Sequence, residues 1–570
     1  MTEKSGRRWW RIAALALVGV QLPVLARTAG DPQQSDFANY FTPAFVLARG
    51  GDVGALYDRD SFDRALGQTG IEGLGSFVPH PPANALWLLP FASRPPDVAK
   101  ALWTIVLVLS IGLTIGGVVR LSPGFEPSLA IVLVLAPTLA LRNSLAFGQP
   151  YLILLTLLVG GALALERGRA FLAGFLLGVG VSFKPYALGA VFLFVHADRR
   201  RSLAGFVCGA IAPSLALVSL AGPEPFTLFS SKVLPWMMRG EIQDPFSPGW
   251  ASAMALANRL LRLEPDLNPQ PWFHAPLFAR FLGAAVSATL LALGLFSSRR
   301  ALDSRQPLDA VGIVLAFALG ASPFVASYHL VLLVVPAVAV AARLRGHALG
   351  LWLVGWAVLG SPLLNAFRSA SGVFAPLAYL RFFGILGLAL VVSRRYLNRR
   401  MVGQAAALGA VFGVLALPWD RNEEAWARIE SAKGYSMMRP HFCGANLRWW
   451  SPSMDGRRLE SKGAGTDCSS APPEAVRPTS LPAADESRVV SRFTDGSWNL
   501  YLRTERPRVL ESRLTFSDAN EVDPVWTPDG CAIVFASDQG RGLGSTALYL
   551  LDVSGLTDGC EGSGPAWGLR

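Results

Sequence analysis

Apolar runs of membrane length recur through the first three quarters of the 570-residue chain, and they restrict its possible folds more than any other feature. About 20 apolar residues are enough for a helix to cross the hydrocarbon core of a bilayer. Only 16% of the residues are charged, against about a quarter in soluble domains. We therefore predict a mainly α, polytopic transmembrane helical bundle. The sequence indicates about thirteen spans, at 11–27, 98–119, 127–142, 150–165, 170–184, 186–197, 202–221, 276–297, 308–325, 328–343, 347–365, 374–393 and 402–418.

The arginines between these runs indicate the orientation. Every second loop is basic, as expected when loops that stay in the cytoplasm retain positive charge. This pattern predicts a cytoplasmic N-terminus, extracytoplasmic loops at about 28–97 and 222–275, and an extracytoplasmic tail. The formal net charge of +11 lies largely in these loops, so it does not indicate nucleic-acid binding. The basic loops contain Arg120, Arg167, Arg169, Arg199, Arg200, Arg201, Arg299, Arg300, Arg305, Arg343, Arg345, Arg394, Arg395, Arg399 and Arg400.

The composition changes after about residue 420, which predicts three regions. These are a transmembrane domain over 1–420, a loosely ordered linker over 421–487, and a small β domain over 488–570; the linker is rich in Ser, Pro, Gly and charge over 445–487. The sequence Pro528-Asp529-Gly530 between two apolar runs predicts a β-hairpin.

The cysteines agree with an extracytoplasmic tail. Four lie there, at Cys443, Cys468, Cys531 and Cys560, whereas Cys208 lies in a predicted span. An even set in an oxidising compartment predicts two disulfides, and the sequence leaves all three pairings open. The spacings do not match a zinc site.

Several short motifs follow one another in a telling order. Asp36-Phe37 comes after the first span, then Gly51 followed by Leu56-Tyr57, then Pro79-His80-Pro81-Pro82. Phe147-Gly148-Gln149-Pro150 and a glycine-rich run ending at Lys184-Pro185 come later. This order, over about residues 10–400, resembles the GT-C class of membrane glycosyltransferases, and in particular family 87, the DUF2029 group that uses polyprenyl-phosphate-mannose.

The resemblance implies an enzyme of the inner (plasma) membrane whose catalytic face is extracytoplasmic. It would transfer mannose or another hexose or pentose from a polyprenyl-phosphate donor to a glycan or glycolipid acceptor. No metal or other cofactor is expected, because a polyprenyl phosphate is already a good leaving group. In the tail, Asp523-Pro524 and Trp526 to Gly530 resemble a WD40-like blade of TolB-type propellers.

Asp36 has two interpretations. In family 87 the acid after the first span is thought to deprotonate the acceptor hydroxyl, and the resemblance transfers that role to Asp36. General-base catalysis requires such a proton acceptor within hydrogen-bond reach of the hydroxyl. The alternative is that Asp36 caps the helix predicted to follow it, a position that aspartate favours.

The remaining candidates would bind the substrate or its phosphate. Lys184 and Arg142 end apolar runs on the predicted outer side, where each either contacts a phosphate or anchors its helix in the lipid headgroups. Gln149, His80 and His329 lie on the same side and are further candidates for contact with sugar or phosphate.

Two other functional classes stay open at this stage. A transporter or flippase of lipid-linked saccharides would use similar cations, although such proteins often contain internal repeats, and none is evident here. A membrane scaffold with a partner-binding β tail is the third interpretation.

Overall fold

The computed structural model describes most of the helical part of the chain and separate stretches of the tail. The described residues are 3–33, 36–72, 75–78, 80–123, 126–184, 188–189, 191, 193–194, 199–239, 242, 244–264, 267–417, 427–430, 438–443, 446–452, 458–460, 487–494, 497–504, 510–517, 519–542 and 545–553.

Helices dominate the chain up to residue 417, which confirms the prediction of a mainly α fold. Short 3₁₀ segments at Gly54–Tyr57, Pro82–Leu86 and Ser327–Leu333 lie between them. The α-helices are α1 (Glu3–Thr28), α2 (Phe37–Ala48), α3 (Arg59–Thr69), α4 (Pro96–Leu121), α5 (Pro127–Leu135), α6 (Thr138–Ala146), α7 (Tyr151–Glu166), α8 (Ala170–Phe183), α9 (Arg200–Ala221), α10 (Glu224–Leu228), α11 (Leu234–Arg239), α12 (Ala253–Leu261), α13 (Pro276–Asp303), α14 (Pro307–Ala321), α15 (Val334–Ala341), α16 (Gly346–Leu359), α17 (Leu380–Ser393) and α18 (Arg399–Leu415).

Five helical segments in the described part of the chain are long and apolar enough to cross a membrane. The bent pair α5 and α6 makes a sixth if it counts as one span. Five further apolar segments contain only 10–17 residues, and the predicted span 186–197 lies largely outside the described residues. The number thirteen and the orientation therefore stay predictions. The five long segments are Trp9–Thr28, Pro96–Leu121, Arg200–Ala221, Pro276–Asp303 and Gly372–Ser393.

The break between α5 and α6 has a clear local cause. The two helices meet at an angle of 69° on either side of Ala136 and Pro137. A proline has no backbone N–H and its ring clashes with the preceding turn, so a helix bends or stops there. The N–H of Leu139 bonds instead to the carbonyl of Gly360, at 2.9 Å. The bend sets the direction of α6 and of the loop that follows it.

Helices α8 and α9 pack backbone against backbone. Gly174 and Gly178 of α8 face Gly205 and Gly209 of α9, and a Cβ added at any of the four would lie about 2 Å from a backbone oxygen of the other helix. Small residues four apart allow this approach, which dispersion and lipid entropy favour in membranes. The pairing fixes α8, which ends at Phe183, directly before Lys184.

The described stretches of the tail contain ten strands in three antiparallel sheets. Their orders are β1-β10-β9-β8, β2-β3-β4 and β5-β6-β7. Apolar side chains of two of these sheets, among them Leu500, Trp526 and Phe535, form one buried cluster. The strands are β1 (Ala427–Glu430), β2 (Met438–Cys443), β3 (Asn446–Pro452), β4 (Arg458–Glu460), β5 (Ser487–Thr494), β6 (Ser497–Thr504), β7 (Leu510–Arg513), β8 (Glu521–Trp526), β9 (Ala532–Ser537) and β10 (Ala547–Asp552).

The structure agrees with one expectation for the tail and differs from another. Strands β8 and β9 pair as the predicted hairpin, with Trp526 opposite Ile533 and Gly530 in the left-handed conformation at φ 68°. By contrast, β1 to β4 lie inside 421–487, where a loosely ordered linker was expected. Pairing between strands supplied the order that the composition of this segment does not suggest. The resemblance to a propeller blade stays a prediction.

Cys531 takes part in a disulfide. Its partner is not among the described side chains, because Cys468 and Cys560 and the side chain of Cys443 lie outside them. Cys208 of α9 is a free, exposed thiol.

The chain divides into two compact units. The first comprises Met1–Ser230, Ser247–Arg262 and Gln270–Leu417, and the second comprises Ser231–Phe246, Leu263–Pro269 and Pro418–Arg570. Two pieces of the loop at 222–275 therefore belong to the same unit as the tail, which the sequence did not predict.

Candidate active site

Asp36 lies at the start of α2 in the first unit, and its side chain makes no capping hydrogen bond to that helix. Its carboxylate is half-buried, and Oδ2 accepts a hydrogen bond of 2.7 Å from Nε2 of Gln149. Of the two interpretations of Asp36, helix capping is thus not what the side chain does.

The loop after α6 presents Gln149 to Asp36. Gly148 has φ 66°, a conformation that favours glycine. The Nζ of Lys100 donates to a backbone carbonyl of α6 at 2.7 Å, and the indole N–H of Trp103 donates to the carbonyl of Gly148 at 2.7 Å. The buried Gln149 also accepts a hydrogen bond of 2.6 Å from the hydroxyl of Tyr40 through Oε1. The orientation of its amide is therefore determined at both ends.

The end of α8 is held by the segment after the Pro79-His80-Pro81-Pro82 motif. Asn84 donates through Nδ2 to the carbonyls of Ser182 and Phe183, at 3.1 and 3.3 Å. The ring of Trp87 stacks on that of Phe183 with their centroids 3.9 Å apart. These contacts satisfy two carbonyls at a helix C-terminus and fix the backbone at Lys184.

Lys184 brings a positive charge close to Asp36. Its side chain is only 8% exposed, and Nζ lies 5.6 Å from the ring centroid of Tyr40 and 5.8 Å from that of Tyr151. Burial opposes the charged form of this side chain, and the negative charge of Asp36 favours it. A buried ammonium beside aromatic faces and a carboxylate is well placed to attract an anionic substrate group.

His80 is buried, and neither of its ring nitrogens has a hydrogen-bond partner in the described part of the chain. The ring meets that of Tyr40 edge-on at 4.7 Å, and its backbone carbonyl accepts from the hydroxyl of Tyr57 at 2.8 Å. Burial lowers the pKa of the imidazole well below 6.5, and the charge of Lys184 acts in the same direction. A neutral imidazole that could hydrogen-bond a substrate therefore lies next to Tyr40.

His329 approaches from the 3₁₀ segment before α15. Its Nδ1 accepts a hydrogen bond of 2.7 Å from the backbone N–H of Ala326, so a neutral ring carries its proton on Nε2. The ring lies 4.5 Å from that of Tyr151, centroid to centroid, and the charge of Lys184 acts on it.

The structure thus brings five of the six predicted site residues together, and Arg142 differs from them. Arg142 is exposed on α6 and makes no hydrogen bond or ion pair with the residues that the structure describes. The five are Asp36, Gln149, Lys184, His80 and His329.

Sequence reasoning missed Tyr40, Tyr151 and Lys100. Tyr40 follows Asp36 by four residues, so a helical register over this segment places both on one face. Lys100 is a rare lysine at one end of an apolar run, which is the sequence signal that identified Lys184. The structure shows that it is fully buried.

The middle of the chain matches a known protein family. Residues 77–325 match the family model of glycosyltransferase family 87. The matched segment contains His80, Gln149 and Lys184; it begins after Asp36 and ends just before His329. No curated protein and no solved structure matches the chain. The match supports a glycosyltransferase, and it covers the elements that hold Gln149 and Lys184 in place.

Proposed function

We propose that the protein is an integral membrane glycosyltransferase that takes a sugar from a polyprenyl-phosphate donor and delivers it to an extracytoplasmic glycan or glycolipid. The observation that carries the proposal is the contact between Asp36 and Gln149 beside the buried ammonium of Lys184. The family 87 match and the membrane-length helices support it. Mannose is the donor sugar that the resemblance favours.

Asp36 acts as the general base in this proposal. The acceptor hydroxyl attacks the anomeric carbon, a new C–O bond forms, and the bond from that carbon to the phosphate oxygen breaks. The hydroxyl proton passes to the Asp36 carboxylate, and the bonding electrons leave with the polyprenyl phosphate. Gln149 donates to Oδ2 of this carboxylate and so holds it in one orientation, as a base that must meet the acceptor hydroxyl requires.

Lys184 stabilises the phosphate that leaves. Negative charge grows on that oxygen in the transition state, and a positive group that is already in place stabilises it without reorganisation. Arg142, which is exposed and near the same loop in sequence, would supply the second positive charge. Its planar guanidinium suits two-point contact with a phosphate.

In this proposal the site lies at the outer face of the inner (plasma) membrane. The support for this is the alternation of basic loops in the sequence, which puts the loop bearing Asp36 outside. A lipid-linked donor and an extracytoplasmic acceptor would meet at that face.

The test is sugar transfer by membranes that contain the full-length protein, with labelled polyprenyl-phosphate sugars. Asp36→Asn should lower transfer by at least about 100-fold, a typical contribution of a general base, while membrane insertion is unchanged.

The matched control is Asp52→Asn in the same loop. Asp52 accepts from the backbone N–H groups of Gly54 and Ala55 through Oδ1, which an asparagine reproduces. Near-normal transfer by Asp36→Asn would remove the base assignment. Movement of the lipid-linked sugar across the membrane without transfer would favour a flippase.

A further inference from the structure

A cavity lies at the far ends of α4 and α7, two helices that contribute residues to the candidate active site. It has a volume of about 920 Å³ and is lined by the ends of α4, α7, α13 and α15 and the start of α14. Helix α7 begins at Tyr151 in the active site and ends at Glu166 in this cavity. Its 16 residues separate the two sites by about 24 Å.

Arginines outnumber carboxylates in the lining by five to three. Two of them are already engaged, Arg199 with Asp303 at 3.3 Å and Arg343 with the buried Asp309. The remaining three are Arg305, Arg345 and Arg395, all exposed and all without an acidic partner in the described part of the chain.

Arg305 has an unusual backbone. It follows α13 with φ 56°, and the N–H groups of Arg305 and Gln306 close the helix end by bonding back to Leu302 and Ala301. Glycine is the usual residue at this position, because a side chain there costs about 1 kcal/mol. Here an arginine occupies the position, and it lines the cavity.

Ser122 supplies a separate observation. It lines the cavity, is only 5% exposed, and its Oγ has no hydrogen-bond partner among the described residues. Buried hydroxyls are normally paired, so an unpaired one at a cavity wall points to a ligand. The preference for basic loops on one face of a membrane is enough to explain why arginines are frequent here. It does not explain the unpaired hydroxyl of Ser122 or the backbone conformation of Arg305.

We propose that this cavity binds a phosphate group, with Arg305 and Arg395 as its cations and the Ser122 hydroxyl as a neutral donor. Guanidinium groups give two-point, charge-assisted hydrogen bonds to phosphate oxygens. The phosphate belongs either to an anionic lipid headgroup or to a free phosphate ion. The proposal does not depend on the proposed catalytic function, because none of these residues lies in the candidate active site.

The test uses the purified full-length protein in a nonionic detergent without phosphate. One arm is titrated with sodium phosphate and the other with dihexanoyl-phosphatidylglycerol, each against sodium chloride at equal ionic strength. The readouts are the thermal unfolding midpoint and calorimetric binding. Saturable binding is expected in at least one arm. Binding of the lipid alone identifies a headgroup as the source, and equal binding in both arms identifies the phosphate itself as sufficient.

Three variants test the residues. Arg305→Gly removes the cation while relaxing the backbone, and it should weaken binding about 10-fold, as expected for a lost charge-assisted hydrogen bond. Arg395→Gln should do the same, and Ser122→Ala should weaken binding by roughly 3-fold. Arg305→Gly folds normally if its thermal unfolding midpoint without ligand is no lower than that of the wild type.

The control is the double variant Arg64→Gln with Arg94→Gln. Both side chains are exposed and neither lines the cavity. This control should bind as the wild type does. Binding no stronger than that of chloride in both arms, or equal weakening by the control, would overturn the proposal.

Discussion

The amide of Gln149 donates a 2.7 Å hydrogen bond to the carboxylate of Asp36, which lies 113 residues earlier in the chain. The same amide accepts from Tyr40, which lies on the helix that Asp36 begins. One buried side chain therefore links the segment between α1 and α4 to the loop before α7. The position of the carboxylate depends on this link rather than on α2 alone.

Gln149→Leu should lower sugar transfer from a polyprenyl-phosphate donor by roughly 10- to 100-fold. The variant removes a hydrogen bond to a charged group, which contributes about 1.5–3 kcal/mol, and with it a contact that orients the Asp36 carboxylate. Because Gln149 acts through Asp36, the loss should appear in kcat more than in KM.

Tyr40→Phe is the comparison for that variant, since it removes a neutral donor to Gln149 and keeps the ring. Its loss should stay below about 10-fold. Full activity in Gln149→Leu would show that Asp36 needs no orientation by this amide.

Gly148→Ala should also reduce transfer, because Gly148 sets the path of the backbone into Gln149. A Cβ at this position would lie 3.1 Å from the ring of Phe37 and 3.3 Å from Nζ of Lys100, and φ is 66°. We expect a cost of about 1 kcal/mol from the backbone, with a further cost from the contacts and displacement of Gln149. The measurements are transfer activity and the thermal unfolding midpoint.

Gly168→Ala separates the backbone cost from the contacts. Gly168 has φ 70°, and a Cβ there would meet nothing within 4 Å. This variant should lose a similar backbone increment while transfer by the folded protein stays normal. If both variants have equal activity, the contacts around Gly148 do not position the site.

The sequence predicted only part of this site, because the residues that meet in it lie far apart along the chain. Asp36, Lys184 and His80 each stand out locally, as an acid after a span, a rare lysine at a helix end and a histidine among prolines. That they meet depends on contacts such as those of Asn84 with the end of α8, 98 and 99 residues away. No local pattern encodes such contacts.

The same contrast between local patterns and long-range contacts applies to the helices and to the tail. Long helices followed directly from hydropathy, because burial in lipid requires apolar residues over the whole span. Strands β2 to β4 were missed, because their order arises from pairing between strands. The membership of Leu263–Pro269 in the unit of the tail was missed as well, since it rests on Glu264 meeting arginines more than 160 residues away.

His80 should make the protein less stable below about pH 6.5. Burial keeps its pKa in the folded protein well below 6.5, whereas the unfolded chain takes up a proton near that pH. Between these two pKa values the unfolded state binds more protons, so the free energy of unfolding falls as the pH falls, by at most about 1.4 kcal/mol per pH unit. The contribution is fully present above about pH 6.5.

The measurement is the thermal unfolding midpoint from pH 7.5 to 5.0 in detergent. His80→Leu should make the decline in acid shallower, and it should be tolerated at pH 7.5 because neither ring nitrogen has a partner among the described residues. The exposed His347 provides the control, as His347→Asn. An unchanged decline in His80→Leu would mean that other groups cause it.

Glu264 should be needed for the stability of the second unit. Its carboxylate accepts from both terminal nitrogens of Arg428, at 2.6 and 3.2 Å, and lies 3.3 Å from the fully buried Arg541. Glu264→Gln would remove the negative charge that both guanidinium groups contact, and breaking a buried pair in this way costs about 3 kcal/mol. The expected result is a lower unfolding midpoint and faster proteolysis of the tail in the full-length protein.

Glu511→Gln is the matched control, because its 2.8 Å pair with Arg492 is exposed and such pairs contribute less than about 1 kcal/mol. Equal protease sensitivity in the two variants would show that the Glu264 pairs do not stabilise the unit.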